Sequence, residues 1–448
     1  MEIIATSHAT SFIESFHRLI TKKKLESILK KHTSGRGAPA NLAGSEVIMG
    51  LVYHFFSGAG TFAAHMHRLV EKKMSDSALT QRRKNLPFEI FNQVMKHALR
   101  PLAMEQEHPD CFYKGLRLVS VDGTQFSAPN TKDILERFKK SESRREEAAF
   151  AKIGVSVLLE IGTHHPIGAV IATDQEGEIT LTRRLLNLLP KKSLLIADRL
   201  LGVGALVEEV MAACQSESYF LIRARDNVKR KVIQVFADGS SLVEINLRDK
   251  EMPKKMRGSL LVREIKGRVR RSHENWSDIT VWTNLHDAKL YTALEILRLY
   301  GKRWEQELYY KQLKIDLHGG ELLQSGTAET ALQEIAALIL ASAIIAQERL
   351  LLGASQDLSS IRISFAKVRE HLDVIWFAIK STTGIVSEEQ QEAIVANILR
   401  IIRREVIIPP RRSRSCARAL RQPTKKWKRL FNPISNYSPL QLEIISAS

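Results

Sequence analysis

Apolar positions recur at helical spacing from the N-terminus to about residue 110. "SFIESFHRLITKKKLESILKKH" places Phe, Ile and Leu on one face and a strongly basic set on the other. "TSGRGAPANLAG" (33–44) has the composition of a loop, and "SEVIMGLVYHFF" returns to a helix. In "MSDSALTQRRKNLP" (74–87), Ser75 or Ser77 can cap a short helix that Pro87 stops. The period changes near residue 116. "LRLVSVDGTQFSAP" predicts a strand ending in a turn, and "IGVSVLLEIG" and "PIGAVIAT" predict two more strands joined by "THH". "EITLTRRLLNLLP" predicts a helix, "KSLLIADRL" a buried strand, "GALVEEVMAAC" a helix and "SYFLIRAR" a strand.

That order, β-β-β-α-β-α-β, predicts a mixed α/β sheet flanked by helices. From 228 to 290, "SLVEINL", "GSLLVREIKGRVRR" and "SDITVWTNL" alternate and are β-branched, so a β-rich insertion is expected there. Helices return over 291–400. The chain therefore divides into a helical N-terminal domain (1–112), a first core part (113–227), the insertion (228–290), a helical completion (291–400) and a C-terminal tail (401–448).

Composition narrows the function. Lys plus Arg total 67 against 49 Asp plus Glu, a net charge of +18 and a pI near 9.8. Such a charge favours a polyanionic partner, with nucleic acid ahead of an anionic membrane surface. "PPRRSRSCARALRQPTKKWKRL" (409–430) adds a basic, acid-free tail suited to phosphate contact. Gln81, Arg82, Arg83 and Lys84 would make the capped helix either a helix-turn-helix reader of DNA or an ordinary solvated helix. The three cysteines are widely spaced and form neither a disulfide framework nor a zinc pattern. No signal peptide is expected, and the apolar run "IAALILASAIIA" (335–346) is shorter than the roughly twenty residues that span a bilayer. It is expected to be a buried core helix.

Candidate chemistry lies in "YGKRWEQELYYKQLK" (300–314). On a regular helix, Tyr300, Arg303, Glu307 and Lys314 fall within roughly 60° of arc. Arg offers a bidentate fork to phosphate and Lys a point charge. Asp122 follows the apolar run "LRLVSV", and Asp198 follows "SLLIA". Taken singly, a strand-end Asp forms turns and a helical Glu is solvated. Three acids from different elements beside a basic, aromatic helix are what metal-assisted phosphodiester chemistry needs.

The spacing Tyr300-x2-Arg303-x3-Glu307-x6-Lys314 resembles the YREK signature of bacterial insertion-sequence DDE transposases, the insertion-sequence-four-like group. "DGT" (122–124) is similar to that group's first acid and "ADR" (197–199) to its second. The likeness covers roughly 116–350. It implies a ribonuclease-H-like core in which Asp122, Asp198 and Glu307 bind two Mg²⁺ ions, replaceable by Mn²⁺. It implies that Tyr300, Arg303 and Lys314 grip DNA phosphates near the cleaved end, with Trp304 available to stack on a base. It also implies terminal inverted repeats and a target as DNA partners, a homodimer pairing two ends, a bacterial cytoplasmic and nucleoid location, and strand cleavage by way of a hairpin. "DRLLG" (198–202) departs from the group after Arg199, so only Asp198 is carried over, and Gly301 interrupts the signature helix. Trp276 or Trp282 of the insertion could stack on a base, although Trp282 sits in a strand and suits a core. His164 and His165 read as loop residues. The rival readings are a domesticated or inactive DNA-binding relative, a plain metal-dependent nuclease and a structural nucleic-acid binder.

Overall fold

In the computed structural model, the leading helices begin where a Ser, Thr or Pro can start them, except the third, which starts after Ala43. They are α1 (Phe12–Leu19) on Ser11, α2 (Lys22–His32), α3 (Gly44–His54), α4 (Phe62–Val70) on Thr61, α5 (Asp76–Lys84) on Ser75 and α6 (Phe88–Ala98) after Pro87. The residues described are 11–32, 42–57, 60–142, 147–214, 217–248, 256–270, 276–320, 322–408 and 441–444. The basic tail sequence 409–430 lies outside them.

The expected strand-and-helix order follows in the chain, with two short strands and a short helix added to it. It comprises β1 (Phe112–Tyr113), β2 (Leu116–Ala128), α7 (Lys132–Arg137), β3 (Lys140–Glu142), β4 (Glu147–Glu160), β5 (His165–Ile171), α8 (Glu178–Leu186), β6 (Ser193–Ala197), α9 (Gly204–Cys214) and β7 (Tyr219–Arg223). The insertion is all strand: β8 (Arg230–Val235), β9 (Ser241–Arg248), β10 (Met256–Arg270) and β11 (Ser277–Thr283). After α10 (Ala293–Tyr300) come a 3₁₀ turn (Gly301–Arg303), α11 (Trp304–Lys311) and a π-helical stretch (Gln312–Leu317). Then follow α12 (Ala328–Ala354), α13 (Phe365–Thr382), α14 (Glu388–Glu405) and β12 (Gln441–Ile444).

Contacts divide the chain into residues 1–195 with 304–408 and residues 196–303 with 409–448. In the first unit β4 lies between β2 and β5, antiparallel to both, and β6 starts beside β2, where the Arg117 N–H donates to the Lys192 carbonyl at 2.8 Å. One apolar cluster runs from Phe12 and Phe16 through Ile153 and Val155 to Ile344 and Trp376. The N-terminal helices thus share a core with the sheet. The axis of that core is α12, which is long and apolar enough to cross a membrane; 83% of that window is buried inside the unit, as a core helix requires.

The second unit carries the antiparallel meander β7-β11-β10-β9-β8, with β12 added to β10. Trp282 is fully buried there and donates Nε1–H to Glu264 Oε2 at 3.0 Å, the core role its strand position predicts. Trp276 is half-buried under the Arg270 guanidinium, 4.9 Å from its ring centroid.

The loop after β6 is held by close backbone packing. A Cβ on Gly202 would stand 2.1 Å from the Arg223 carbonyl oxygen, which is backbone and cannot swing aside. Gly202→Ala is expected to destabilise this unit by about 1–3 kcal/mol, lowering the denaturation midpoint; an unchanged midpoint would mean that the loop is free to shift.

Candidate active site

In the first unit, Asp122 lies in the middle of β2, which continues past it to Ala128 rather than ending there. Its Oδ1 accepts the Gly123 N–H at 2.8 Å, and the Glu178 Oε1 accepts the same N–H at 3.0 Å. Two carboxylates therefore crowd one donor. A Cβ at Gly123 would lie 2.4 Å from Glu178 Cγ, so the Gly of "DGT" gives Glu178 its place. Glu178 opens α8 and was not singled out from sequence; its signal was an acid at the start of a helix that follows three strands.

Glu307 is half-buried on α11, between side chains that fix that helix. Buried Gln306 accepts from the Ser120 hydroxyl at 2.6 Å through Oε1. The Tyr310 hydroxyl donates to the Asp122 carbonyl at 2.5 Å, and the Tyr309 hydroxyl shares a hydrogen bond with Ser342 Oγ at 3.1 Å. Burial first, then the Asp122 carboxylate, holds the Tyr310 phenol well above its ordinary range, so it remains a donor. Two of the signature stretch's aromatics are therefore anchors. His164, expected to be a loop residue, is buried with φ 54°, its Nε2 2.8 Å from Glu305 and its Nδ1 2.9 Å from Gln312. It ties down α11 on both sides of Glu307, and burial lowers its pKa so that the ring stays neutral.

Lys314 lies on the π-helical stretch, its Nζ 5.5 Å from the Phe126 ring centroid. Burial, and then the positive charge of Lys152, lowers its pKa to about 8. No carboxylate pairs with it among the described residues.

The second unit gathers Tyr300, Arg303, Arg223 and Asp198. Burial raises the Tyr300 phenol to about 12, its hydroxyl is hydrogen-bonded to Arg303, and the charges of Arg303, Arg223 and Asp198 all act on it. Arg223, the last residue of β7, is an addition to the predicted set. Asp198 is half-buried just after β6, and its Oδ1 accepts the Leu200 N–H at 2.7 Å. A cavity of about 470 Å³ opens beside it, lined also by Arg199, Arg225 and Asp226. Arg225 fixes the loop by donating to the carbonyls of Arg199 at 2.9 Å and Leu200 at 3.1 Å.

The signature segment is not one regular helix. The 3₁₀ turn at Gly301–Arg303 and the π-helical stretch at Gln312–Leu317 change the rotation per residue, so a uniform 100° step does not relate Tyr300 to Lys314. Gly301 is exposed and right-handed (φ −58°), and a Cβ there would meet open space. Trp304 is half-buried at the start of α11.

The oxygen-only donor set Asp122, Asp198, Glu307, with Glu178 against Asp122, suits a hard divalent cation chemically. Among the described residues, no three His, Cys, Asp or Glu side chains stand together as metal ligands.

The buried ammonium of Lys314 makes a clear expectation. Its pKa in the folded chain lies below the unfolded value of 10.5, so the charge opposes folding fully below about pH 8. That penalty fades as pH rises towards 10.5 and the folded-state ammonium loses its proton. Lys314→Met is expected to stabilise the protein at pH 7 by on the order of 1–3 kcal/mol. Urea midpoints at pH 7 and pH 10 check it; a gain as large at pH 10 as at pH 7 would assign the effect to packing instead of charge.

A family profile described as a transposase DDE domain matches residues 113–344. The chain is 22% identical over 369 residues to the transposase InsG for insertion sequence element IS4 of Escherichia coli (strain K12), covering 79% of this chain and 78% of that protein. It is 24% identical over 128 residues to the putative transposase InsZ of the same organism, covering 28% of this chain and 42% of that one. Among solved structures it is similar to a piggyBac transposase in a synaptic complex with hairpin DNA, at 10% identity and a TM-score of 0.40, covering 89% of this chain and 87% of that one. The profile takes in more than half of the 448 residues, together with all three candidate acids, and the chain belongs to the transposase DDE-domain family.

Proposed function

We propose that this chain cuts DNA at the terminal inverted repeats of an insertion sequence and joins the freed ends to a target, with Asp122, Asp198 and Glu307 as its catalytic carboxylates. The observation that carries this reading is the profile match over 113–344, a span that contains Asp122, Asp198 and Glu307 together with the Tyr300-x2-Arg303-x3-Glu307-x6-Lys314 spacing. The transposase activity itself follows from the family; the residue roles, ions and partners are the proposal.

Asp122, Asp198 and Glu307 would hold two Mg²⁺ ions, with Mn²⁺ as a substitute. When bound, such ions supply a water of lowered pKa and stabilise the leaving 3′ oxygen of an in-line displacement. The chain's own work is positioning. The Gly123 N–H orients Asp122, and the Leu200 N–H orients Asp198. The buried bonds of Gln306, Tyr309 and Tyr310 fix the helix that presents Glu307. The Lys314 ammonium, kept without a carboxylate partner, is available to a phosphate that lacks its counterion. Arg303 is held ready by the Tyr300 hydroxyl, and Trp304 offers a ring to an unstacked base. A 3′ hydroxyl released by the first cut would attack the opposite strand to give a hairpin. Two copies would pair the two ends as a homodimer, in the bacterial cytoplasm where the nucleoid lies. Phosphate contacts from a +18 chain would make the affinity strongly salt-dependent.

Glu307→Gln keeps the shape and removes the charge. On a duplex bearing the element's own terminal repeat, with Mg²⁺, it should bind like wild type and cut at least about 10³-fold more slowly. Asp122→Asn and Asp198→Asn should behave alike. Equal cutting by Glu307→Gln would remove Glu307 from the site; wild type that binds the repeat and never cuts would favour the domesticated DNA-binding relative.

A further inference from the structure

A second cavity, of about 630 Å³, lies within the first unit, apart from Asp122 and Glu307. One wall is formed by His54, Phe62 and His65 of α3 and α4. The other is formed by His318 beyond the π-helical stretch, Glu334 of α12 and Arg369 of α13. Its size falls within the roughly 300–1,000 Å³ of small-ligand pockets and exceeds what a lone inorganic anion needs.

The charges facing it are mostly committed. Glu334 accepts the N–H groups of Gln324 at 3.0 Å and Ser325 at 2.9 Å and lies 3.6 Å from His318 Nε2. Arg83 donates to Ser325 Oγ at 3.1 Å and to the Thr330 carbonyl at 3.0 Å. Asp76 accepts the Ala63 N–H at 3.1 Å. Arg369 is the exception. Its Nε is buried with no hydrogen-bond partner, and no carboxylate forms an ion pair with it among the described residues. The neighbouring Glu370 is paired with Lys367 at 2.8 Å. A buried donor left unmade costs about 1–3 kcal/mol, so the Arg369 Nε–H is open to an acceptor that a ligand can bring.

Part of the lining is aromatic. The His54 ring centroid lies 5.6 Å from that of Phe62 and 4.8 Å from that of His65. Burial, and then His65, lowers the His54 pKa to about 4, so its ring stays neutral at pH 7 and can lie against a planar base. A cation with an open buried donor and flat rings, lining one space of this volume, is the donor pattern of a nucleotide.

We propose that this cavity binds a nucleotide, its phosphate on Arg369 and its base against the His54–Phe62 wall. The nucleotide is either free or one residue of a DNA strand; the strand-borne source rests on the function proposed above, and the free source does not.

The test measures binding of dAMP, inorganic phosphate and a short single-stranded oligonucleotide to the full chain. It compares wild type with Arg369→Ala and Arg369→Lys, after melting curves show that each variant folds. The lysine variant keeps the charge and serves if the alanine variant does not fold. The expected result is that Arg369→Ala weakens nucleotide binding about tenfold or more, Arg369→Lys loses less, and inorganic phosphate binds more weakly than dAMP. Oligonucleotide bound much more tightly than dAMP identifies a strand residue; equal affinities identify a free nucleotide. Arg369 variants indistinguishable from wild type, inorganic phosphate bound as tightly as dAMP, or no binding of any probe would each overturn the assignment. Glu307-dependent cleavage measured on the same preparations separates the two proposals. Intact cleavage with no Arg369 effect rejects the cavity alone, and lost cleavage with a retained Arg369 effect rejects the catalytic assignment alone.

Discussion

In the first unit, the candidate active site depends on how α11 is fastened to the residues around it. Little more than one turn of helix carries Gln306, Tyr309 and Tyr310 inward, and each hydrogen-bonds a residue far away in sequence: Ser120, Ser342 and the Asp122 carbonyl. A hydrogen bond in a dry interior is costly to leave unmade, typically by about 1–3 kcal/mol for the stranded group. The helix therefore has one low-energy seat. Hydrophobic packing alone would let it slide or roll by a fraction of a turn; polar groups that need specific partners do not allow that. Glu307 lies between Gln306 and the two tyrosines, so its place is set by neighbours with no chemistry of their own to perform. His164 adds a further tie through Glu305 and Gln312.

The same region holds charge in unfavourable places. Lys314 is an ammonium pushed down to about pH 8 by burial and by Lys152. Asp122 and Glu178 compete for one backbone N–H. An apolar residue at 314 would lower the electrostatic penalty of burying that ammonium. A buried charge that opposes stability in this way is where function is often found. Arg83 makes the contrast. It too is buried and its pKa is lowered, chiefly by burial, yet it donates to Gln333, Ser325 and the Thr330 carbonyl and so serves the fold.

Much of the fold was legible because it is written in local periodicity. The three strands, the two βα steps and the β-rich insertion each announce themselves over five to fifteen residues, and they are found where the alternation predicts. What escaped was set by partners distant in the chain. Ser75, one of two candidate caps, starts α5, which the sequence left as either a DNA reader or a solvated helix; Arg83 turns in to α12, and Arg82 donates to the Leu42 carbonyl at 3.2 Å. His164 and His165 looked like surface turn residues, and both are buried beneath helices that begin more than a hundred residues later. Glu178 was passed over because an acid at a helix start is ordinary; only its approach to Gly123 across 55 positions gives it meaning.

The signature segment shows how a spacing read along the chain can be given the wrong geometry. Treating 300–314 as a single regular helix put four functional residues on one face, but the backbone passes through α, 3₁₀, α and π forms in turn. The short forms have a physical cause. Gly301 lacks the helix propensity to carry α10 onward, and the stretch after Lys311 must bring Leu313 and Leu317 into the core while leaving Lys314 over Phe126. π turns are found mostly at functional sites. The spacing is thus fixed by two separate requirements, one for Arg303 beside Tyr300 and one for Lys314 beside β2. Neither is the requirement that all four share a helix face.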